Sequence, residues 1–315
     1  MPHLLIAGIL HDSGVKLLEQ ADVTFDYVKD ISEASYAPLI AKADALVIRT
    51  QPLSAATIAM AGKLQIVSRH GVGFDAVDVA ALNARRIPLC IVGDVNSVSV
   101  AEQAMLLILA ATKRMVRAHD AVTRGGWEWR NRLEAGEVSG KALLILGYGR
   151  AGRHLARMAA GFGMQVAAYD PPLAGAGWPE GVARVDDLLA GLAVADVVSV
   201  HMPKGDRPVI GVAELAVMKP SAVLVNTARG GLVDEAALLV ALQGGRPAAA
   251  GLDVFEQEPP GVDNPLFALD QVVTSPHIAG LTRESAERMA VASVQNVLDF
   301  FAGRLDPALI VNRNF

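Results

Sequence analysis

Residues 143–170, LLILGYGRAGRHLARMAAGFGMQVAAYD, restrict the fold more than any other stretch of the chain. An apolar run of strand character stops at Gly147, and Gly147, Gly149 and Gly152 follow in the spacing G-x-G-x-x-G. A helix-forming stretch comes next, and a second strand run closes on Asp170. In this order the first glycine allows a tight turn, the second lets the backbone approach a pyrophosphate, and the third lets helix pack on strand. The helix N-terminus adds free N–H donors and the positive end of its dipole. Asp170, 18 residues after Gly152, stands where an acid accepts a hydrogen bond from a ribose hydroxyl. S-adenosylmethionine enzymes also carry glycines after a first strand and an acid after the second, so this stretch by itself does not name the cofactor.

The same alternation runs along the whole chain. LLIAGIL, VTFDYV, ALVIRT, LQIVSRH and PLCIV read as short strands separated by helix-compatible stretches, which implies a first parallel sheet. The stretch beginning at Ser97 or Ser99, either a plausible N-cap, reads as one long helix running unbroken to Gly125 and Gly126. A second series follows, with six apolar strands, KALLIL, QVAAYD, DVVSVH, AVLVNTA, AAAGLDV and QVVTS. Near-continuous apolar strands mean a doubly wound sheet buried on both faces. A last helix from about Thr282 to Gly303 is followed by RLDPALIVN, which has no slot in the second sheet and is expected to return to the first. At 315 residues two domains are expected: 1–97 completed by 284–315, and 98–283.

A net charge of -5 supplies no basic excess for nucleic acid or an anionic membrane, so a small molecule is the expected partner. The single cysteine, Cys90, cannot form an internal disulfide and no metal-ligand spacing occurs, which fits a cytoplasmic protein without a metal. The N-terminus has no basic leader, and no apolar run approaches the roughly 18 residues of a membrane span.

In a doubly wound sheet ligands bind beyond the carboxyl ends of the strands. The residues there are Gly147, Asp170, His201, Arg229, Glu258 and His277. In a chain that is 52% hydrophobic, Arg229 at the tip of a core strand needs a partner. Arginine, carboxylate and imidazole from three strands match hydride transfer to a 2-oxo acid. A planar fork holds the carboxylate, an imidazole moves the hydroxyl proton, and an acid orients and charges that imidazole.

The stretches SRHGVGFDAVD, NSVSVAEQAMLLIL, LGYGRAGRHLA, VNTARGGLVDEAAL, GLDVFEQEPP and SPHIAGLT together resemble the D-2-hydroxyacid dehydrogenase family, in the branch of phosphoglycerate dehydrogenases and hydroxypyruvate reductases. The resemblance covers nearly the whole chain. It implies a Rossmann dinucleotide domain and a flavodoxin-like substrate domain with a cleft between them, NAD as cofactor, and a small 2-oxo or D-2-hydroxy acid as substrate. It implies Arg229 as the carboxylate ligand, Glu258 as the acid paired to the imidazole, and His277 as general acid and base. Arg49 and the backbone N–H groups of Val72 and Gly73 are implied on the substrate. The implied cofactor set is Gly147, Gly149, Arg150, Ala151, Gly152, Asp170, His201, Thr227 and Asp253, the last near the nicotinamide. Asn96 and Glu102 match a stretch at the domain junction, with Glu102 as a structural hydrogen-bonding group.

WEWRNR and the long helix resemble the family's dimer contacts, so a homodimer is expected. The sequence stops at Phe315, short of the regulatory segment of longer phosphoglycerate dehydrogenases, and feedback through such a segment is not expected. His70 stands where relatives often carry a small residue and Lys204 where many carry an apolar one. The second reading is a dinucleotide-sensing, corepressor-like binding protein on the same scaffold. A methyltransferase is a third, with no use for Arg229, Glu258 and His277.

Overall fold

Residues 1–175 and 178–313 are described by a computed structural model of the chain. They form two compact units, Met1–Asn96 with Leu281–Phe315, and Ser97–Gly280. Each is a parallel sheet flanked by helices, the doubly wound α/β class.

Among the described residues the first unit has five strands: β1 (His3–Ala7), β2 (Thr24–Val28), β3 (Ala45–Ile48), β4 (Ile66–Arg69) and β5 (Leu89–Cys90), in the order β2-β1-β3-β4-β5. This is the flavodoxin-like order. Side chains alternate between faces along a strand, and both faces are covered here. Leu5, Ala7, Leu46, Ile48 and Val67 pack with Tyr36, Ile40, Ile58 and Leu82. Leu4, Ile6, Ala45, Val47 and Ile66 pack with Ala290, Val294 and Val297 of the helix Arg283–Phe301. Thr282 caps that helix by accepting from the Ser285 N–H. A side chain at Gly14 would come within 2.9 Å of Ala290 Cβ, so the first helix approaches the last only because glycine is there. The end of the chain returns to this sheet. Ile310 bridges Cys90 antiparallel, and the Asn312 amide accepts from Leu89 N at 2.7 Å and donates to Ile87 O at 2.9 Å.

The second unit has seven described strands where sequence periodicity gave six: β6 (Ala142–Leu146), β7 (Gln165–Tyr169), β8 (Ala183–Arg184), β9 (Val197–Val200), β10 (Val223–Asn226), β11 (Ala249–Leu252) and β12 (Val272–Thr274). Their order is β12-β11-β10-β9-β6-β7-β8, all parallel. The additional strand, β8, is an exposed two-residue edge, too short to carry a periodic signal.

The long helix also differs from expectation. It starts at Ser97, so Ser97 and Ser99 lie inside it, and it ends at Thr112. Arg114 adopts left-handed backbone (φ 53) and a separate helix runs Met115–Thr123. Tertiary contacts hold the break: Arg114 Nη2 donates to Ala248 O at 3.0 Å and Gly136 N donates to Thr112 O at 2.9 Å. The Ser97–Thr112 helix is packed into the apolar core of this unit. A side chain at Gly251 of β11 would lie 2.8 Å from its Leu107 Cβ.

Candidate active site

The parallel register of the second unit places its strand ends in one row. Tyr169, Leu146, Val200, Asn226, Leu252 and Thr274 are paired across consecutive strands. The next residue on each strand is therefore, in order, Asp170, Gly147, His201, Thr227, Asp253 and Ser275. Arg229, Glu258 and His277 follow a few residues further on, after the adjacent strands β10, β11 and β12.

The glycine turn has the shape a dinucleotide requires. Gly147 has φ 95 and any Cβ there would sit 2.7 Å from His201 O, while a Cβ at Gly152 would meet Gly147 O at 2.4 Å. Gly149 has no other atom within 4 Å of its Cβ position, and it begins the helix Arg150–Gly161 without a side-chain cap. The first turn, which begins with Arg150 and Ala151, therefore has no side-chain cap on its N–H groups. Asp170 Oδ2 accepts from Tyr148 N at 2.7 Å and Oδ1 from Leu173 N at 3.1 Å, which fixes the carboxylate at the rim of the turn. Each oxygen retains a second lone pair for an outside donor. His201 Nε2 lies 2.8 Å from Ser199 Oγ, and burial pushes its pKa down to about 4, so the ring is neutral. Thr227 Oγ1 is buried with no partner among the described residues. An open glycine turn, an uncapped helix start and an unpaired hydroxyl along one strand-end row fit a bound dinucleotide.

His277 Nδ1 is 2.6 Å from Glu258 Oε2, and the Glu258 Oε1 accepts from Phe255 N at 3.0 Å. One carboxylate oxygen is thus anchored to backbone while the other faces the imidazole. His277 has φ 51, a left-handed conformation that a non-glycine residue holds only against strain of about 1–2 kcal/mol. Asp253 supplies the restraint. Its backbone oxygen accepts from His277 N at 2.8 Å, and its fully buried carboxylate accepts from Ile278 N at 3.0 Å, Ala279 N at 2.8 Å and Ser275 Oγ at 2.5 Å. The carboxylate implied near the nicotinamide is thereby committed to the loop that carries His277.

Arg229 sits on an equally determined turn. Asn226 Nδ2 donates to Arg229 O at 2.9 Å and Asn226 Oδ1 accepts from Ala228 N at 3.0 Å. A Cβ at Gly230 would fall 1.7 Å from Phe255 O, so only glycine can follow the arginine here. Sequence reading passed over Asn226, Ser275 and Gln103. Asn226 carried a signal, a buried amide ending an aliphatic strand. Gln103 Nε2 donates to Ser275 Oγ at 2.9 Å, while the side chain of its neighbour Glu102 is exposed and forms no hydrogen bond or ion pair among the described residues.

Arg49, Val72 and Gly73 belong to the other unit, where Arg49 directly follows β3 and the 71–73 segment follows β4. The Arg49 N–H donates to Ala7 O at 3.0 Å, and its guanidinium has no hydrogen bond or ion pair among the described residues. Lys204 is exposed, its Nζ 3.5 Å from where a Cβ on Gly231 would be. Among the described residues no group of three or more His, Cys, Asp or Glu is arranged to hold a metal, and no helix is long and apolar enough to cross a membrane.

Residues 105–279 match the family model described as D-isomer specific 2-hydroxyacid dehydrogenase, NAD binding domain. The chain is 36% identical over 314 residues to D-3-phosphoglycerate dehydrogenase of Methanocaldococcus jannaschii, covering 97% of this chain and 58% of that protein. It thus spans little more than half the length of that relative. It is also 36% identical over 318 residues to glyoxylate reductase of Korarchaeum cryptofilum, covering 98% and 96% of the two chains. A solved structure from Thermus thermophilus superposes with a TM-score of 0.89 at 30% identity over 97% of this chain and 98% of that one. With the strand-end row and the glycine turn in place, these similarities settle the ancestry: the chain belongs to the D-isomer specific 2-hydroxyacid dehydrogenase family.

Proposed function

We propose that the protein is an NAD-dependent oxidoreductase that interconverts a small 2-oxo acid and the D-2-hydroxy acid, in the 3-phosphoglycerate, hydroxypyruvate or glyoxylate class. The observation that carries this reading is the 2.6 Å contact of His277 Nδ1 with Glu258 Oε2, two strand ends from Arg229. Names of relatives that act on D-3-phosphoglycerate, glyoxylate and hydroxypyruvate support it.

In this reading the unit Ser97–Gly280 holds the cofactor through Gly147, Gly149, Arg150, Ala151, Gly152, Asp170, His201 and Thr227. Bound NADH supplies the hydride that reduces the carbonyl carbon. Arg229 holds the substrate carboxylate with its planar fork, which also draws electron density from the adjacent carbonyl. Because Glu258 occupies Nδ1 of His277, Nε2 is the atom that gives its proton to the carbonyl oxygen. Glu258 fixes the orientation of the ring through its 2.6 Å contact with Nδ1. In the oxidising direction the neutral Nε2 accepts the hydroxyl proton. Asp253 positions His277 through the loop, and Arg49 and the N–H groups of Val72 and Gly73 are assigned to the substrate as well.

A homodimer belongs to the same reading. Met115, Val116, Val122, Trp127 and Leu133 are exposed apolar residues close together in sequence, a composition suited to contact with a second copy. A cytoplasmic location belongs to the same reading, and the lone cysteine, Cys90, is compatible with it. The test is NADH oxidation with glyoxylate, hydroxypyruvate and 3-phosphohydroxypyruvate. Turnover of at least one by the parent, reduced at least about tenfold in Arg229→Gln, is the expected result. Failure of the full panel would remove the proposal.

A further inference from the structure

Tyr148 stands between Gly147 and Gly149, and its backbone is engaged on both sides. Its N–H donates to Asp170 Oδ2 at 2.7 Å and its carbonyl accepts from Arg153 Nε at 3.2 Å. Glycine restrains a backbone least, and Gly147 has φ 95. The restraint on this N–H therefore falls largely to Arg153 and to the Tyr148 side chain. Tyr148 is only 6% exposed and belongs to the apolar core of its unit. Its ring stacks on Trp178, with 6.2 Å between centroids and 25° between planes, and the Arg153 guanidinium carbon lies 5.5 Å from its centroid.

Trp178, eight residues past Asp170 in the sequence, has supports of its own. Its Nε1 donates to Val182 O at 2.8 Å, and the Arg184 guanidinium carbon lies 5.8 Å from its ring centroid. Val182 directly precedes β8 and Arg184 lies in it. That strand pairs with β7 at Ala167 and Ala168, and Asp170 directly follows β7. The two-residue edge strand thus gives Trp178 a base on the sheet, from which the indole reaches Tyr148 and Tyr148 reaches Asp170.

We propose that Trp178 is a positioning residue for the dinucleotide: its stack on Tyr148 holds the glycine turn against Asp170, which keeps that carboxylate where it binds a free 2'-hydroxyl of the adenosine ribose and turns away a 2'-phosphate. This rests on the dinucleotide site described above. The two backbone donors to Asp170 are not equivalent. Leu173 follows it by three residues in the same chain segment, whereas Tyr148 belongs to the glycine turn, so the Tyr148 bond is the one that ties the carboxylate to the turn. Without the indole the Tyr148 ring loses its stacking partner, the Gly-Tyr-Gly backbone regains freedom, and the carboxylate loses its reference point. A displaced carboxylate forfeits the bond to the 2'-hydroxyl and also the repulsion of a 2'-phosphate. NADH and NADPH should therefore respond in opposite senses.

The experiment is a fluorescence titration of NADH and NADPH against the parent, Trp178→Ala, Trp178→Phe, Asp170→Ala and the double variant Trp178→Ala/Asp170→Ala, with thermal midpoints taken without cofactor. Trp178→Ala is expected to weaken NADH binding at least about threefold, within the range one aromatic pair supplies, while NADPH binding stays level or tightens. Trp178→Phe keeps a stacking ring and gives up the bond to Val182, so it should lie closer to the parent than to Trp178→Ala. In the Asp170→Ala background the same change should alter NADH binding less than about twofold, because its effect passes through the carboxylate. A general structural defect would lower the midpoint, weaken both cofactors alike and cost the same in both backgrounds. That pattern overturns the assignment, as does NADH binding by Trp178→Ala within about threefold of the parent's. Should Trp178→Ala not fold, Trp178→Leu, apolar but without a stacking ring, takes its place in every comparison. Loss of the expected differences in a parent that binds NADH sinks the Trp178 role alone, whereas a parent that binds neither cofactor sinks the dinucleotide reading with it.

Discussion

Asp253 holds His277 in a left-handed backbone conformation: the Asp253 carbonyl accepts the His277 N–H at 2.8 Å, and its carboxylate accepts those of Ile278 and Ala279. The buried acid thereby sets where the imidazole stands relative to Glu258. In Asp253→Asn one oxygen becomes an NH2 group facing an N–H donor. Each buried donor left unpaired costs about 1–3 kcal/mol, so a lower urea midpoint is expected together with a fall in kcat. A variant with parent stability and parent kcat would remove Asp253 from the positioning role.

Arg229→Lys tests the fork. A lysine keeps the charge but supplies a point donor in place of two parallel N–H bonds. Arg229 Nη1 donates to Ala228 O at 2.7 Å, but the turn is also held by both amide bonds of Asn226 and by the close approach at Gly230, so the fold should persist. The expected loss in kcat/KM is at least about tenfold, or ~1.4 kcal/mol; a loss under about threefold would contradict carboxylate binding by this residue.

Two glycines of similar sequence setting should behave oppositely. Gly230→Ala forces a Cβ to 1.7 Å from Phe255 O, and loss of folded protein, or destabilisation above about 4 kcal/mol, is expected. Gly149→Ala meets no atom within 4 Å and should leave the thermal midpoint close to the parent. Its methyl would nevertheless stand where a pyrophosphate approaches, so NADH affinity measured by fluorescence should drop at least about tenfold. Unchanged NADH affinity would move the cofactor away from this turn.

Much of this arrangement was legible because parallel strands buried on both faces announce themselves as short apolar runs. The residues just beyond each run then mark the strand-end edge. Asp170 and His201 directly follow their strands, and Arg229 and His277 come three residues after the ends of β10 and β12. The break at Arg114 was not, because Ala-Thr-Lys-Arg-Met contains no glycine or proline; the Ala248 carbonyl that stabilises it is 134 residues away. Gln103 and Ser275 escaped for the same reason, their pairing spanning 172 positions. Sequence pattern reports local conformation and burial, whereas the supports of a site are set by which polar groups the topology brings together.

Acid should unfold the protein through its neutral histidines. Burial, aided at His70 by Arg49, brings both His70 and His201 from the ordinary 6.5 down to about 4. Above 6.5 the folded and unfolded chains carry the same charge at these rings. As pH falls from 6.5 towards 4, the unfolded chain takes up protons that the folded chain refuses, and stability is lost across that window. Urea midpoints should decline over this range, with a shallower decline in His201→Gln. An identical slope in parent and variant would mean that this ring does not contribute.

The contact between His277 and Glu258 is the centre of the account, and kcat/KM for reduction in Glu258→Gln, measured beside His277→Ala, tests it most directly. In the proposed reduction His277 Nε2 gives a proton to the carbonyl oxygen while Nδ1 stays bonded to Glu258. Glutamine at this position replaces a charged acceptor by a neutral amide, and a fall in kcat/KM of at least about tenfold is expected. The comparison is made where chemistry limits the rate, with His277→Ala as the reference for activity without the imidazole. A value between those of the parent and His277→Ala is the expected result, and one within about threefold of the parent's would contradict the assignment of Glu258 as the acid paired to His277.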